Sequence, residues 1–82
     1  MTEEDTRIPF EIVNKLGVIK EYANKKKEFN RVSWNGKDPK YDIRTWDART
    51  GRGGKGITLD ENELRKLKEL VDAEVSFLDE QQ

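Results

Sequence analysis

The chain contains neither cysteine nor histidine. The first absence excludes disulfides and thiolate metal sites. The second removes the commonest general base, the commonest metal ligand and every triad built on imidazole. Long apolar runs are missing too, so nothing in the sequence spans a membrane. Met1 to Asp5 is acidic and polar, unlike a secretory leader, and a cytoplasmic protein is the expectation. With 82 residues there is room for one domain. A chain this short buries only ~60–65% of its unfolded surface. Without disulfides, dimerisation is the common remaining route to more buried area.

A formal net charge of −1 hides an uneven distribution. Residues 1–14 hold one Arg against four acidic residues, and residues 56–82 hold three basic residues against eight acidic ones. Between them, residues 15–55 carry twelve Lys/Arg against five Asp/Glu, an excess of +7. A partner of the middle segment meets a positive local field that the net charge conceals.

Residues 1–8 read as a flexible acidic tail, and residues 9–80 as a single domain. From Phe10, apolar residues recur with a period of two at Phe10, Ile12, Leu16 and Val18, while Val13 and Ile19 keep the other parity. This predicts a first strand. Asn24 with Lys25–Lys27 reads as a polar turn, and residues 28–34 as a second strand. Asn35-Gly36 opens a hairpin loop that Asp38-Pro39 closes. Residues 40–47, KYDIRTWD, alternate cleanly, with Lys40, Asp42, Arg44 and Trp46 on one face. A basic glycine-rich loop follows, then a short strand over 55–59. Asp60 and Glu63 form a capping-box pattern. Behind it Leu64, Leu67, Val71, Val75 and Leu78 make a helical stripe, widened by Leu70 and Phe77. The helix is about 28 Å long. The predicted class is α+β: a four-stranded antiparallel sheet followed by one C-terminal helix. One helix covers one sheet face, so the other is expected to be solvated or to hold a ligand.

Gly51, Gly53 and Gly56 spell GxGxxG, but the match is read as accidental. A dinucleotide site needs a helix to open at those glycines, and here Ile57, Thr58 and Leu59 intervene. The loop also fails as a phosphate loop, because Ile57 stands where lysine is required. As a basic hairpin loop, its glycines still let backbone N–H groups approach phosphates. Neither the tail nor the helix gathers its carboxylates into a hydrolytic cluster, so no enzyme and no cofactor or metal is expected. Asp42 lies among basic residues and reads as the partner of Arg44 or of a neighbouring strand.

Trp34 and Trp46 fall at strand ends beside basic residues. Trp34, next to Val32, reads equally as core or as ligand-facing, whereas Trp46 shares a face with Lys40, Asp42 and Arg44 and is expected at the surface. Aromatics interleaved with Lys and Arg on an open sheet form a stacking platform for single strands, since duplex DNA offers no base faces. The candidate nucleic-acid-binding residues are Lys27, Arg31, Trp34, Lys37, Lys40, Arg44, Trp46, Arg52 and Lys55. The candidate dimer interface is Leu67, Leu70, Val71, Val75 and Leu78.

The stretch from Lys40 to Leu78 resembles the single-stranded-DNA-binding domain of the transcriptional Positive Cofactor 4 family. KYDIRTW, a basic glycine-containing loop, KGITL and an amphipathic helix follow that family's order. EIVNKLGVI and NRVSWNGKDPKYDIRTW are similar to its bacterial YdbC-like branch. The resemblance implies a ββββα fold, helices paired across a dimer two-fold and grooves for two single strands. It assigns base stacking to Trp34 and Trp46, backbone contacts to Arg44 and Lys55, and a loop cation to Lys37. Asp47 departs from the pattern where some relatives carry a second aromatic. The loop after it is shorter than in eukaryotic members, and their long regulatory N-terminal region is absent, so coactivation does not carry over. The expected function is sequence-independent binding of single-stranded DNA in transcription, replication or repair. The alternatives are an RNA-binding protein or chaperone on the same surface, and a protein-interaction module that pairs through exposed strands.

Overall fold

The computed structural model describes residues 8–81. The acidic tail expected before Ile8 lies outside the described residues. Four strands, β1 (Phe10–Tyr22), β2 (Lys25–Trp34), β3 (Lys40–Asp47) and β4 (Gly53–Leu59), precede one helix, α1 (Glu61–Glu80). The strands form one antiparallel meander in the order β1-β2-β3-β4.

Local chemistry accounts for the turns. Asn35 and Gly36 both take positive φ, 53° and 75°, and Lys37 N–H bonds to the Trp34 carbonyl at 3.0 Å. That combination belongs to the mirror-image hairpin turn favoured by Asn-Gly. Between β1 and β2 only Ala23 and Asn24 intervene. Lys25–Lys27, expected as a turn, therefore form the start of β2. At α1 the capping box is complete: the Asp60 side chain accepts from Glu63 N–H, and the Glu63 side chain accepts from Asp60 N–H.

β1 does not keep the expected parity. Its register against β2 shifts between Ile12 and Asn14, between Lys15 and Gly17, and between Val18 and Lys20. Each shift inserts one unpaired residue, namely Val13, Leu16 and Ile19. A bulge bends its strand and increases the local twist, and three within one strand curl the sheet. The curl is visible in the core. Trp46 pairs with Lys26, eight β2 positions from Trp34, which in a flat sheet would be ~26 Å away. Yet the ring of Phe10 lies 5.6 Å from Trp34 and 5.3 Å from Trp46, centroid to centroid.

The concave face is consequently the core. Val32, Trp34 and Trp46 are buried there, with Ile8, Phe10 and Ile12 packed against them. Burying a side chain of this kind contributes about 1.5–3 kcal/mol, and aromatic pairs add about 0.5–1.5 kcal/mol. Ile8, assigned by sequence to the tail, belongs to this cluster. The face expected to be open is closed by the sheet itself.

The convex face carries the helix. Phe29, Tyr41 and Ile43 meet Leu64, Leu67 and Val71 across shallow clefts. Only Leu64 and Leu67 of α1 are even half-buried. Leu70, Val71, Val75, Phe77 and Leu78 are exposed, so most of the apolar stripe is uncovered in the single chain.

Candidate nucleic-acid interface

Strand alternation sorts the candidate residues into two groups. Asn30, Val32 and Trp34 of β2 point into the concave face, as do Asp42, Arg44 and Trp46 of β3. Lys40 shares their parity at the exposed end of β3. Lys27 and Arg31 share the parity of Phe29, on the helix side, and the Arg31 Nη1 donates to Asn14 Oδ1 at 2.8 Å. The structure therefore does not bring Lys27 and Arg31 to the face of Trp34 and Trp46. Lys37 stands just past the Asn35-Gly36 turn, and Arg52 and Lys55 flank the β3–β4 connection; all three are exposed.

Trp34 is 3% exposed, Trp46 7% and Arg44 2%. The expectation of a surface position for Trp46 is corrected. Its polar neighbours on β3 are themselves interior groups, because the curled sheet encloses that face. Arg44 donates from Nε and Nη2 to both oxygens of Asp42, at 2.8–3.0 Å. Its Nη1 donates to the Gly54 carbonyl at 2.9 Å. Its guanidinium lies 4.7 Å from the Trp34 ring centroid, a cation–π contact in a desolvated setting. The ion pair anticipated for Asp42 is thus present, wholly inside the domain.

Gly54 belongs to a register shift between Arg44 and Trp46, where β4 carries an extra residue. The carbonyl taken by Arg44 is one that this irregularity turns inward. Gly56 faces Arg44 across the ladder, and a Cβ there would overlap the Arg44 Cβ and the Ile43 carbonyl. Gly56 therefore serves strand packing rather than a phosphate loop. The indole N–H groups of Trp34 and Trp46 and the Asn30 Oδ1 are buried without a hydrogen-bond partner.

At the far end of the meander the β3–β4 loop is tied to the β1–β2 turn by Ala48 N–H donating to the Asn24 carbonyl at 2.7 Å. Asp47 Oδ1 accepts from Arg49 N–H at 2.8 Å, and that hydrogen bond holds its carboxyl below the usual carboxylate range. A cleft of about 250 Å³ opens here between Ile12, Lys15, Lys26, Glu28, Trp46 and the loop. A second of about 250 Å³ lies on the other side of Asp47, with Lys25 and Arg52. Lys15 and Lys26 escaped the sequence reading. Lys26 had been placed in a turn, and Lys15 reaches this face only because a bulge resets the parity of β1; pairing Lys26 with Trp46 would have found the first.

Among described residues no helix is long and apolar enough to cross a membrane. Residues 22–70 match the family described as Transcriptional Coactivator p15 (PC4). An uncharacterized protein of Treponema pallidum (strain Nichols) is 41% identical over 46 residues, 56% of this chain and 54% of that protein. The chain thus spans about half the length of that relative. The family match runs from the end of β1 into α1, through the buried Asp42–Arg44 pair, both tryptophans and the glycine-rich hairpin. On this evidence the chain belongs to the Transcriptional Coactivator p15 (PC4) family.

Proposed function

We propose that this chain binds single-stranded DNA without sequence preference, as a homodimer, in transcription, replication or repair. Membership in a nucleic-acid-binding family supports this reading. One observation carries it further. The ion pair that the interior removes from residues 15–55, Asp42 with Arg44, is neutral as a unit, so the cationic excess of that segment stays at the surface. Lys27, Lys37, Lys40, Arg52 and Lys55 are all exposed. Phosphates follow these cations, and bases stack on the aromatic cluster that includes Trp34 and Trp46. Both indoles are covered in the free protein by Ile8, Phe10 and Ile12, so stacking on their faces entails displacing that cover.

The exposed stripe of α1 supports the dimer. Leu70, Val71, Val75 and Leu78 find no cover on their own sheet, and a second copy offers the same stripe in a self-complementary way. Exposed Val13, Leu16, Val18 and Ile19 on the edge strand β1 favour the protein-interaction reading as the alternative. A competition of single-stranded DNA, single-stranded RNA and duplex at two salt concentrations separates these readings. The expected result is preference for single-stranded DNA, with affinity falling steeply as salt rises. Equal affinity for RNA would move the assignment to RNA, and absence of salt-dependent binding would reject a nucleic-acid function.

A further inference from the structure

We infer that the cleft beneath the β3–β4 loop receives one nucleobase of the bound strand, with Lys15 and Lys26 holding the adjoining phosphates. The inference rests on the proposed single-strand binding and assigns it a place. The cleft measures about 250 Å³. Sites for whole drug-sized ligands run ~300–1,000 Å³, so this one suits a single ring system rather than a complete nucleotide.

Its walls dictate which part of the nucleotide enters. Ile12 and Trp46 supply apolar and aromatic surface. Lys15 is exposed and Lys26 half-exposed, so their ammonium groups keep their hydration and act at the rim. The carboxylates of Glu28 and Asp47 also line the cleft. Like charge therefore keeps a phosphate out of it, while their oxygens accept from base N–H groups. The Glu28 Oε1 already holds Asn30 Nδ2 at 2.9 Å, and the Asp47 Oδ1 holds the Arg49 N–H at 2.8 Å, so both acceptors are held in place. The last wall, Ala48, is pinned through its N–H to the Asn24 carbonyl, so the cleft exists before a ligand arrives.

The test compares a base-bearing oligonucleotide with an abasic strand of equal length, both read by fluorescence anisotropy. Ala48→Leu fills the cleft from an exposed position without touching a charge. It should weaken the base-bearing strand about fivefold or more, the low end of what one stacked base contributes, and leave the abasic strand unchanged. Lys15→Gln and Lys26→Gln should each weaken both strands and lower the salt slope by ~0.7. The assignment is overturned if Ala48→Leu changes neither strand or weakens both alike, or if the lysine substitutions leave the slope intact. Should Ala48→Leu melt early, the two lysine variants still decide the matter, since neither lysine is buried. If the unsubstituted protein binds neither strand, the single-strand function itself fails; if it binds both and Ala48→Leu is silent, only the cleft is wrong.

Discussion

Arg44 lies over the ring of Trp34, 4.7 Å from its centroid, while gripping the carboxylate of Asp42 from the same side of the sheet. Both charges of this pair are fully removed from solvent. Such a pair contributes little net stability compared with an apolar replacement, but breaking it leaves one charge buried and alone. Arg44→Met should therefore destabilise the domain by about 3–5 kcal/mol in chemical denaturation. Arg44→Lys should fare little better, because one ammonium cannot reproduce the fork to Asp42 together with the bond to Gly54. A loss confined to DNA affinity, with unchanged denaturation, would show that Arg44 works at the ligand.

Two neighbouring glycines should respond in opposite ways. At Gly56 an added Cβ overlaps Arg44 and the Ile43 carbonyl, whereas at Gly54 it meets only the Thr45 carbonyl at 3.6 Å, an ordinary contact. Gly56→Ala is expected to cost about 1–3 kcal/mol or more, and Gly54→Ala to leave the melting temperature nearly unchanged. Equal melting of the two variants would contradict the strand register at Arg44.

The tryptophans require a gentler substitution than alanine. Removing either buried indole should cost about 3–5 kcal/mol, a large share of the ~5–15 kcal/mol that holds a small domain together. Phenylalanine keeps a ring and eliminates a buried N–H that has no partner, so Trp34→Phe and Trp46→Phe should remain folded. Thermal melts of the four variants check the order. If Trp46→Ala melts like the parent, the indole is not a core residue.

Val75→Lys should weaken self-association while leaving the fold of the chain unchanged, since Val75 is exposed and contributes nothing to the concave core. Sedimentation at micromolar concentration should show a dimer for the parent and a larger fraction of the 9.6 kDa species for the variant. A parent that sediments only as 9.6 kDa would remove the dimer from the proposal.

Ala23 holds φ at 51° in the two-residue turn between β1 and β2, a left-handed conformation unfavourable for a residue with a Cβ. Ala23→Gly should raise stability by about 0.5–1 kcal/mol, seen as an upward shift of the denaturation midpoint.

What was legible in the sequence is local. The Asn35-Gly36 turn, the capping box of Asp60 and Glu63, the clean alternation of β3 and the amphipathic spacing of α1 each depend on residues close together in the chain. The order of strands followed from those pieces, and so did the pairing of Asp42 with Arg44, two positions apart on one face. What only the tertiary structure decided is which side of the sheet is inside. Three bulges in β1 curl the meander until its two ends share Phe10, and no short-range pattern announces a bulge whose unpaired residue is itself apolar, as Val13, Leu16 and Ile19 are. That curl turned the polar-looking face of Trp46 into the core, sent Lys27 and Arg31 to the opposite side, and set Lys15 and Lys26 beside Trp46. Alternation states that two residues share a face; the curvature that decides whether the face meets water is a property of the whole sheet.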